Sequence, residues 1–90
     1  MTVYLLHFEK PLSSHHTAQH YIGWTEDLES RIARHRNGGG ARFCEVAKQR
    51  GIDFQLARTW IGDRTLERQL KRRKSGRRLC PVCSPDVPHD

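Results

Sequence analysis

Apolar residues near the start of the chain form short runs that are typical of β-strands. Residues 3–8 are apolar on both alternating faces, which is typical of a central strand covered on two sides, and a first strand is predicted over residues 2–9. A polar connector leads to a second apolar run over residues 20–24, and its length predicts an antiparallel hairpin. A third strand is predicted over residues 54–61.

The pattern that follows the hairpin has helical spacing. Thr25 or Asp27 can cap a helix that ends near Asn37, and acidic residues in its first turn suit the helix dipole. At about 100° per residue, Arg31 and His35 lie one turn apart and border the apolar stripe of this helix. The sequence therefore places an arginine and a histidine beside the buried side of one helix.

Two further helices are predicted downstream. The glycine run 38–40 breaks the first helix and permits a flexible turn, after which apolar residues recur at helical spacing over residues 42–50. Asp63 can cap a last helix that runs from residue 64 to about residue 74. The order β-β-α-α-β-α predicts an α/β (α+β) fold in which helices flank a small three-stranded antiparallel sheet.

The length of the chain, 90 residues, suits one domain with a small core. We expect a folded domain over residues 1–76 and a basic, proline-rich tail with a Cys-x-x-Cys motif over residues 77–90. No apolar run approaches the ~20 residues that cross a bilayer, and no basic flank precedes a long hydrophobic stretch at the N-terminus. The sequence predicts a cytoplasmic protein with no membrane partner.

Basic residues are in excess and unevenly placed. Lysine and arginine number 16 against 10 acidic residues, for a formal net charge of +6, and half of them lie between residues 64 and 78. Such a cluster indicates an anionic partner, most often nucleic acid, and a solvated basic face is the simpler alternative. The side chains predicted to bind nucleic acid are Arg64, Arg68, Lys71, Lys74, Arg77 and Arg78, together with Trp24, which can stack on a base or pack.

The chain also carries the groups that phosphodiester hydrolysis needs. These are a cation for the phosphate, a proton acceptor for water, and donors for the charge that develops on oxygen. Glu67 offers a hard oxygen ligand that suits Mg²⁺. Arg31 can fork onto a phosphate, and Tyr4, Tyr21 and His35 can handle protons.

Each of these residues also has a simpler structural interpretation. A tyrosine among leucines, such as Tyr4, is usually a packed strand residue with a hydrated hydroxyl. His35 can be an ordinary core-edge histidine that is hydrogen-bonded to backbone. Glu67 can pair with Lys71, which follows it by one helical turn. The spacing of the residues along the chain therefore has to distinguish the two interpretations.

Several short stretches match one known pattern in spacing as well as in residue type. They are Thr2-Val3-Tyr4, Tyr21-Ile22-Gly23, Thr25, Leu28, Arg31, His35 and Leu66-Glu67-Arg68-Gln69-Leu70-Lys71. On these residues the chain resembles the GIY-YIG nuclease family from residue 2 to about residue 74. Thr2 and Val3 replace the family's glycine and isoleucine, but both fit a strand, and Trp24 stands where many members have a basic residue.

The resemblance implies that Tyr4 and Tyr21 line one site with Arg31 and His35, and that Glu67 holds one Mg²⁺ or Mn²⁺. It makes Tyr4 the favoured base, and His35 is the rival for that role because a free phenol has a pKa of about 10. It implies an endonuclease that hydrolyses DNA, with RNA left open as a substrate. A domain this small, without an appended recognition module, should be structure-selective, weakly specific or guided by a protein partner. The alternative is a nucleic-acid-binding module of the same fold without catalysis.

The Cys80-Pro-Val-Cys83 motif is half of a zinc site, a redox pair or two ordinary cysteines. Zinc needs four ligands, and Cys44 and His89 are the residues considered to complete the set, although Cys44 faces the apolar side of its helix. Four other histidines could bind adventitious metal, although polar loop histidines are more often solvated; they are His7, His15, His16 and His20. A zinc site in the tail would make the chain a zinc-stabilised interaction protein, which is the third functional hypothesis.

Overall fold

The structure is a computed structural model, and it describes residues 1–14, 18–73 and 79–83. Its elements follow the predicted order. They are β1 (Thr2–Phe8), β2 (His20–Thr25), α1 (Leu28–Arg36), α2 (Arg42–Gln49), β3 (Phe54–Ile61) and α3 (Arg64–Arg72). The predicted α+β fold, with three strands and three helices, is therefore confirmed.

The three strands form one antiparallel sheet in the order β2-β1-β3. The central position of β1 confirms the prediction made from its apolar residues on both faces, and Tyr4 and Leu5, which point to opposite faces, are both fully buried. In the β1–β2 hairpin, Tyr4 lies opposite Gly23 and His7 lies opposite His20. Because side chains alternate along a strand, these two pairs project from opposite faces of the sheet.

One face of the sheet, here called the tyrosine face, is covered by α1 and α2. Its buried residues from β1 are Tyr4, Leu6 and Phe8, which pack with Cys44 and Ala47 of α2. This placement confirms the prediction that Cys44 belongs to the core. Burial raises the pKa of the Cys44 thiol to about 11, so this cysteine is protonated at neutral pH.

The opposite face, here called the cysteine face, is covered by α3 and by residues 79–83. Val3 and Leu5 of β1 pack there with Ile22, with Leu70 of α3 and with Cys80. Leu70 thus lies on the side of α3 that faces the sheet, where it is buried. Residues 79–83 fall in the predicted tail but pack on the sheet, and the boundary proposed at residue 76 stays a prediction.

Two helix starts follow the capping chemistry that the sequence predicts. The Asp27 side chain accepts a hydrogen bond from the Ser30 amide, and the Asp63 side chain accepts one from the Thr65 amide. These bonds satisfy amides that have no partner within their helices. None of the helices in the described part of the chain combines the length and apolarity that a bilayer crossing requires.

Candidate active site

Tyr4 and His35 form a buried hydrogen-bonded pair on the tyrosine face. Tyr4 comes from the central strand and His35 from the last turn of α1, and their exposed fractions are 0% and 1%. The Tyr4 hydroxyl lies 2.6 Å from Nε2 of His35. The sequence predicted that His35 would border the buried stripe of its helix, but it is wholly buried because the following glycine turn folds back over its ring.

The other ring nitrogen of His35 fixes the direction of this hydrogen bond. Nδ1 lies 2.9 Å from the carbonyl oxygen of Gly39. A carbonyl only accepts, so Nδ1 carries the proton and donates it. In a neutral imidazole Nε2 is then an acceptor, and the Tyr4 hydroxyl donates to it. The arrangement is a short relay from Tyr4 to His35, held in place by Gly39.

The glycine turn is part of the site, which the sequence did not reveal beyond predicting a turn. Gly38 and Gly40 have positive φ angles of 84° and 81°, a conformation that glycine adopts without steric cost. A Cβ at residue 40 would lie 2.9 Å from Cε1 of His35. The turn therefore needs glycine both for its backbone and for its close approach to the His35 ring.

Tyr21 and Arg31 surround the Tyr4–His35 pair. The Tyr21 ring centroid lies 6.3 Å from that of Tyr4 and 5.5 Å from that of His35, in an edge-on arrangement with the histidine. Arg31 is half-buried on α1, and its Cδ would lie 3.7 Å from a Cβ built at Gly40. The structure thus brings together four of the five residues predicted to be catalytic.

Burial sets the protonation of the pair. Burial raises the pKa of Tyr4 well above its usual value, Tyr21 raises it further, and the positive charge of Arg31 opposes both. Burial lowers the pKa of His35, and the hydrogen bond to Gly39 raises it by a smaller amount. Both shifts disfavour the charged forms, so at neutral pH the proton stays on Tyr4 and His35 is ready to accept it.

Glu67, the fifth predicted catalytic residue, is connected to this group through Tyr21. Burial raises the pKa of Tyr21, and the nearby Cys44 and Glu67 raise it further. Nζ of Lys71 lies 3.6 Å from Oε1 of Glu67 and 5.5 Å from the centroid of the Tyr21 ring. The simpler interpretation of Glu67, an ion pair with Lys71, is therefore present in the structure, at the edge of the same site.

The predicted nucleic-acid ligands of α3 are exposed. Arg64, Arg68 and Lys71 all present their side chains to solvent, whereas Lys74, Arg77 and Arg78 lie outside the described residues. Trp24 is half-buried and packs against the core of the cysteine face. It also lines a cleft of about 570 Å³ whose wall includes Arg31, Arg34 and Ser30. An open cleft thus begins at Arg31, beside the Tyr4–His35 pair.

Gly23 is required where β2 passes the Tyr4 ring. A Cβ at residue 23 would overlap the Tyr4 hydroxyl and lie 2.5 Å from Cζ of the same ring. The glycine of the Tyr21-Ile22-Gly23 motif is therefore explained by close packing against Tyr4.

We expect Gly23→Ala to destabilise the protein by roughly 1–3 kcal/mol, because the ring that it displaces is fully buried. In a Tyr4→Leu background, which lacks both overlapping ring atoms, the cost of Gly23→Ala should shrink. A double-mutant cycle of urea unfolding measures this coupling. An equal cost in both backgrounds would contradict the steric explanation.

A second group of metal-ligating side chains lies on the cysteine face. Ligand atoms of His7, His20, Cys80 and Cys83 all lie within 4.8 Å of one another. The prediction that His7 and His20 are solvated loop residues is wrong, because both are half-buried and face each other across paired strands. Cys44, considered as a zinc ligand, is buried in the core of the tyrosine face, and His89 lies outside the described residues. The four clustered residues could hold one metal ion.

The fold and the two clusters define a small α+β protein with a buried tyrosine–histidine pair and a separate group of metal ligands. The sequence is similar to the UPF0213 protein in ldhD 5'region of Pediococcus acidilactici, with 41% identity over 34 residues. The match covers 38% of this chain and 35% of the relative, so it spans about a third of either protein. No family model matches the chain, and no solved structure does.

Proposed function

We propose that this protein is a divalent-metal-dependent nuclease that hydrolyses phosphodiester bonds of DNA at the tyrosine face. The observation that carries the proposal is the directed hydrogen bond from Tyr4 to His35, which is itself held by Gly39. A packed structural tyrosine does not need a buried histidine as its acceptor. A tyrosine that acts as a general base for water does need a neighbouring group that accepts the hydroxyl proton of the tyrosine.

The relay assigns a task to each residue. As water attacks the phosphorus atom, the bond from phosphorus to the leaving oxygen breaks, one water proton passes to the Tyr4 oxygen, and the Tyr4 proton passes to Nε2 of His35. The leaving oxygen takes a proton from solvent. The imidazolium formed in this way keeps its bond from Nδ1 to Gly39. Arg31, which is always charged, would hold the scissile phosphate and the charge that develops on its oxygens.

Glu67 is the residue that would hold the metal ion. A single, partly exposed carboxylate fits Mg²⁺ or Mn²⁺, which keep water and substrate oxygens as their other ligands. The Lys71 ammonium that contacts Glu67 belongs to a side chain that is 49% exposed, so it can move away when a cation binds. When bound, such an ion neutralises phosphate charge and lowers the pKa of water.

Resemblance to a nuclease family supports the same class of activity. The motifs of this chain resemble those of the GIY-YIG family, and the similar relative is a UPF0213 protein. Only 34 residues match, so the proposal rests first on the geometry of the Tyr4–His35 pair.

Charge and shape favour nucleic acid as the substrate. The chain has a formal net charge of +6, and the arginines of α3 are exposed. The cleft lined by Trp24 and Arg31 offers a strand a place beside Arg31. Exposed basic side chains contact the backbone rather than the bases, so we propose a structure-selective enzyme, or one that a protein partner directs to its target.

The wild-type protein should cut DNA in the presence of Mg²⁺ or Mn²⁺ and lose this activity in a chelator. Linear, nicked and branched DNA, with matched RNA, should be compared by gel assay. Binding should weaken with salt, and the Arg64→Gln, Arg68→Gln double variant should lower the slope of log Kd against log salt by about two.

Arg42→Gln is a matched control, because Arg42 is also an exposed helical arginine but lies on α2. It should leave the salt slope unchanged. Wild-type protein that binds all of these substrates and cuts none of them would replace the nuclease proposal with a binding module of the same fold.

A further inference from the structure

Four side chains on the cysteine face come from three separate parts of the chain. His7 lies on β1, His20 lies directly opposite it on β2, and Cys80 and Cys83 come from residues 79–83. We infer that they form a structural zinc site that clasps the C-terminal segment to the β1–β2 hairpin. This inference does not rest on the proposed nuclease activity.

Four of the six distances between the ligand atoms fit one tetrahedral zinc ion, and all six lie within 4.8 Å. With Zn–N of about 2.05 Å and Zn–S of about 2.3 Å, tetrahedral geometry places two nitrogens about 3.3 Å apart and a nitrogen and a sulfur about 3.6 Å apart. Nδ1 of His7 lies 3.2 Å from Nε2 of His20 and 3.5 Å from each cysteine sulfur. The sulfur of Cys83 lies 3.4 Å from Nε2 of His20. Each separation agrees with that geometry.

Hydrogen bonding alone does not account for these contacts. Nδ1 of His7 faces three atoms at once, the Nε2 of His20 and two sulfurs. A ring nitrogen has either one proton or one lone pair in the plane of the ring, and thus one strong hydrogen bond. A cation at the centre lets all four groups direct a lone pair at the same point.

The ligand types select zinc over the ion proposed for Glu67. Two thiolates and two imidazoles are soft or borderline ligands, whereas Mg²⁺ and Mn²⁺ prefer oxygen. Two thiolates also neutralise a divalent ion, which suits a position where Cys80 is 0% exposed. Four protein ligands leave no open coordination position, as in structural rather than catalytic zinc sites.

The packing around the cluster shows what such a clasp would hold together. Leu79 and Cys83 pack against the core of the cysteine face, and Arg58 of β3 lies 3.5 Å from the carbonyl oxygen of Leu79. His7 and Tyr4 lie on the same strand, and His20 and Tyr21 are adjacent on the next. The zinc ion would thus fix the hairpin that carries both tyrosines of the opposite face.

The test measures zinc in protein purified under reducing conditions. We expect about one zinc ion per chain in the wild type, and well below one in Cys80→Ala. Cys44→Ala is a matched control, because Cys44 and Cys80 are both buried, at 1% and 0% exposure, but on opposite faces. It should keep its zinc. Wild-type protein without zinc, or Cys80→Ala with a full complement, would overturn the inference.

Two further measurements remain informative if Cys80→Ala folds poorly. Co²⁺-substituted wild-type protein should show the intense visible bands of a tetrahedral site and thiolate-to-cobalt charge transfer, and zinc should displace them. Zinc binding should release about two protons, one from each thiol. An octahedral cobalt spectrum without charge transfer would assign the metal to surface histidines and refute the clasp.

A chelator gives a readout that is separate from cleavage. Removal of zinc should lower the Tm of the wild type and of Cys44→Ala, because a ligand that binds only the folded state stabilises it. The Tm of Cys80→Ala should not respond. A wild-type Tm that is insensitive to zinc and to the chelator would contradict a structural site, whatever the outcome of the nuclease assay.

Discussion

Glu67→Gln is expected to abolish metal-dependent cleavage and to leave nucleic-acid binding intact. Glutamine has nearly the same size as glutamate and can keep the packing of the 14% exposed side chain beside Tyr21, but it loses the negative charge that attracts a cation. Loss of the ion removes several kcal/mol of stabilisation from the transition state, so we expect a fall in cleavage rate on the order of 100-fold or more.

Cleavage rates and binding affinities separate this effect from a change in substrate binding. The Kd for DNA, measured without divalent metal, should be unchanged or lower in Glu67→Gln, because one negative charge is gone. Glu45→Gln is the control, since Glu45 is an exposed glutamate in the first turn of α2, and it should cleave like the wild type. A Glu67→Gln protein with wild-type cleavage and wild-type Mg²⁺ dependence would remove Glu67 from the mechanism.

A substitution of Lys71 tests the proposed role of Glu67 by the opposite effect. The Lys71 ammonium group lies 3.6 Å from the Glu67 carboxylate and would compete for that charge with the proposed metal ion. Lys71→Gln should therefore reach half-maximal cleavage at a lower Mg²⁺ concentration. A higher Mg²⁺ requirement in this variant would indicate that Lys71 assists the metal site rather than competing with it.

The fold could be predicted from the sequence because its signals are local. Apolar residues on both faces of β1 indicate a central strand. Asp27 and Asp63 mark the starts of α1 and α3, because their side chains accept hydrogen bonds from amides within three residues. Leu70 faces the sheet because helical spacing places it there. Each of these inferences uses neighbours along the chain, so none of them depends on how distant segments meet.

The two clusters of functional side chains could be predicted only in part. Many of their contacts depend on strand register and on how distant segments of the chain come together. His7 and His20 meet because the hairpin pairs them, and a shift of one residue would have separated them. Cys80 lies 73 residues after His7 in the sequence, and the tail gave no periodic signal to bring them together. The role of Gly39 was hidden for a similar reason, since its carbonyl, not its side chain, contacts His35.

Tyr4→Phe should reduce cleavage by roughly 10²- to 10⁴-fold, the usual contribution of a positioned acid–base group. Phenylalanine keeps the buried ring but removes the hydroxyl that, in the proposed relay, links attacking water to His35. The change also leaves Nε2 of His35 without its 2.6 Å partner, which costs about 1–3 kcal/mol of stability. The Tm must therefore be measured beside the rate, to show that the variant is folded under the conditions of the assay.

Tyr21→Phe is the matched control for this prediction. The Tyr21 ring also packs against His35, with centroids 5.5 Å apart, but among the described residues its hydroxyl makes no hydrogen bond to the histidine. We expect a smaller loss of activity than in Tyr4→Phe. If Tyr21→Phe lost more activity than Tyr4→Phe, the proton path would have to run through the second tyrosine.

The pH profile distinguishes a proton relay from a purely structural role of Tyr4. Burial holds the pKa of His35 below its ordinary value. A histidine in an unfolded chain gains its proton near pH 6.5, but His35 should remain neutral there, so the wild-type rate constant should stay level as the pH falls past about 6.5. The rate should then drop at lower pH, once Nε2 binds a proton and can no longer accept one from Tyr4. In Tyr4→Phe the residual rate should lack this step, because His35 is no longer connected to the attacking water. A rate that changes in parallel in both proteins over this range would show that the step belongs to another group, since only a relay through Tyr4 makes the protonation of His35 matter to the reaction.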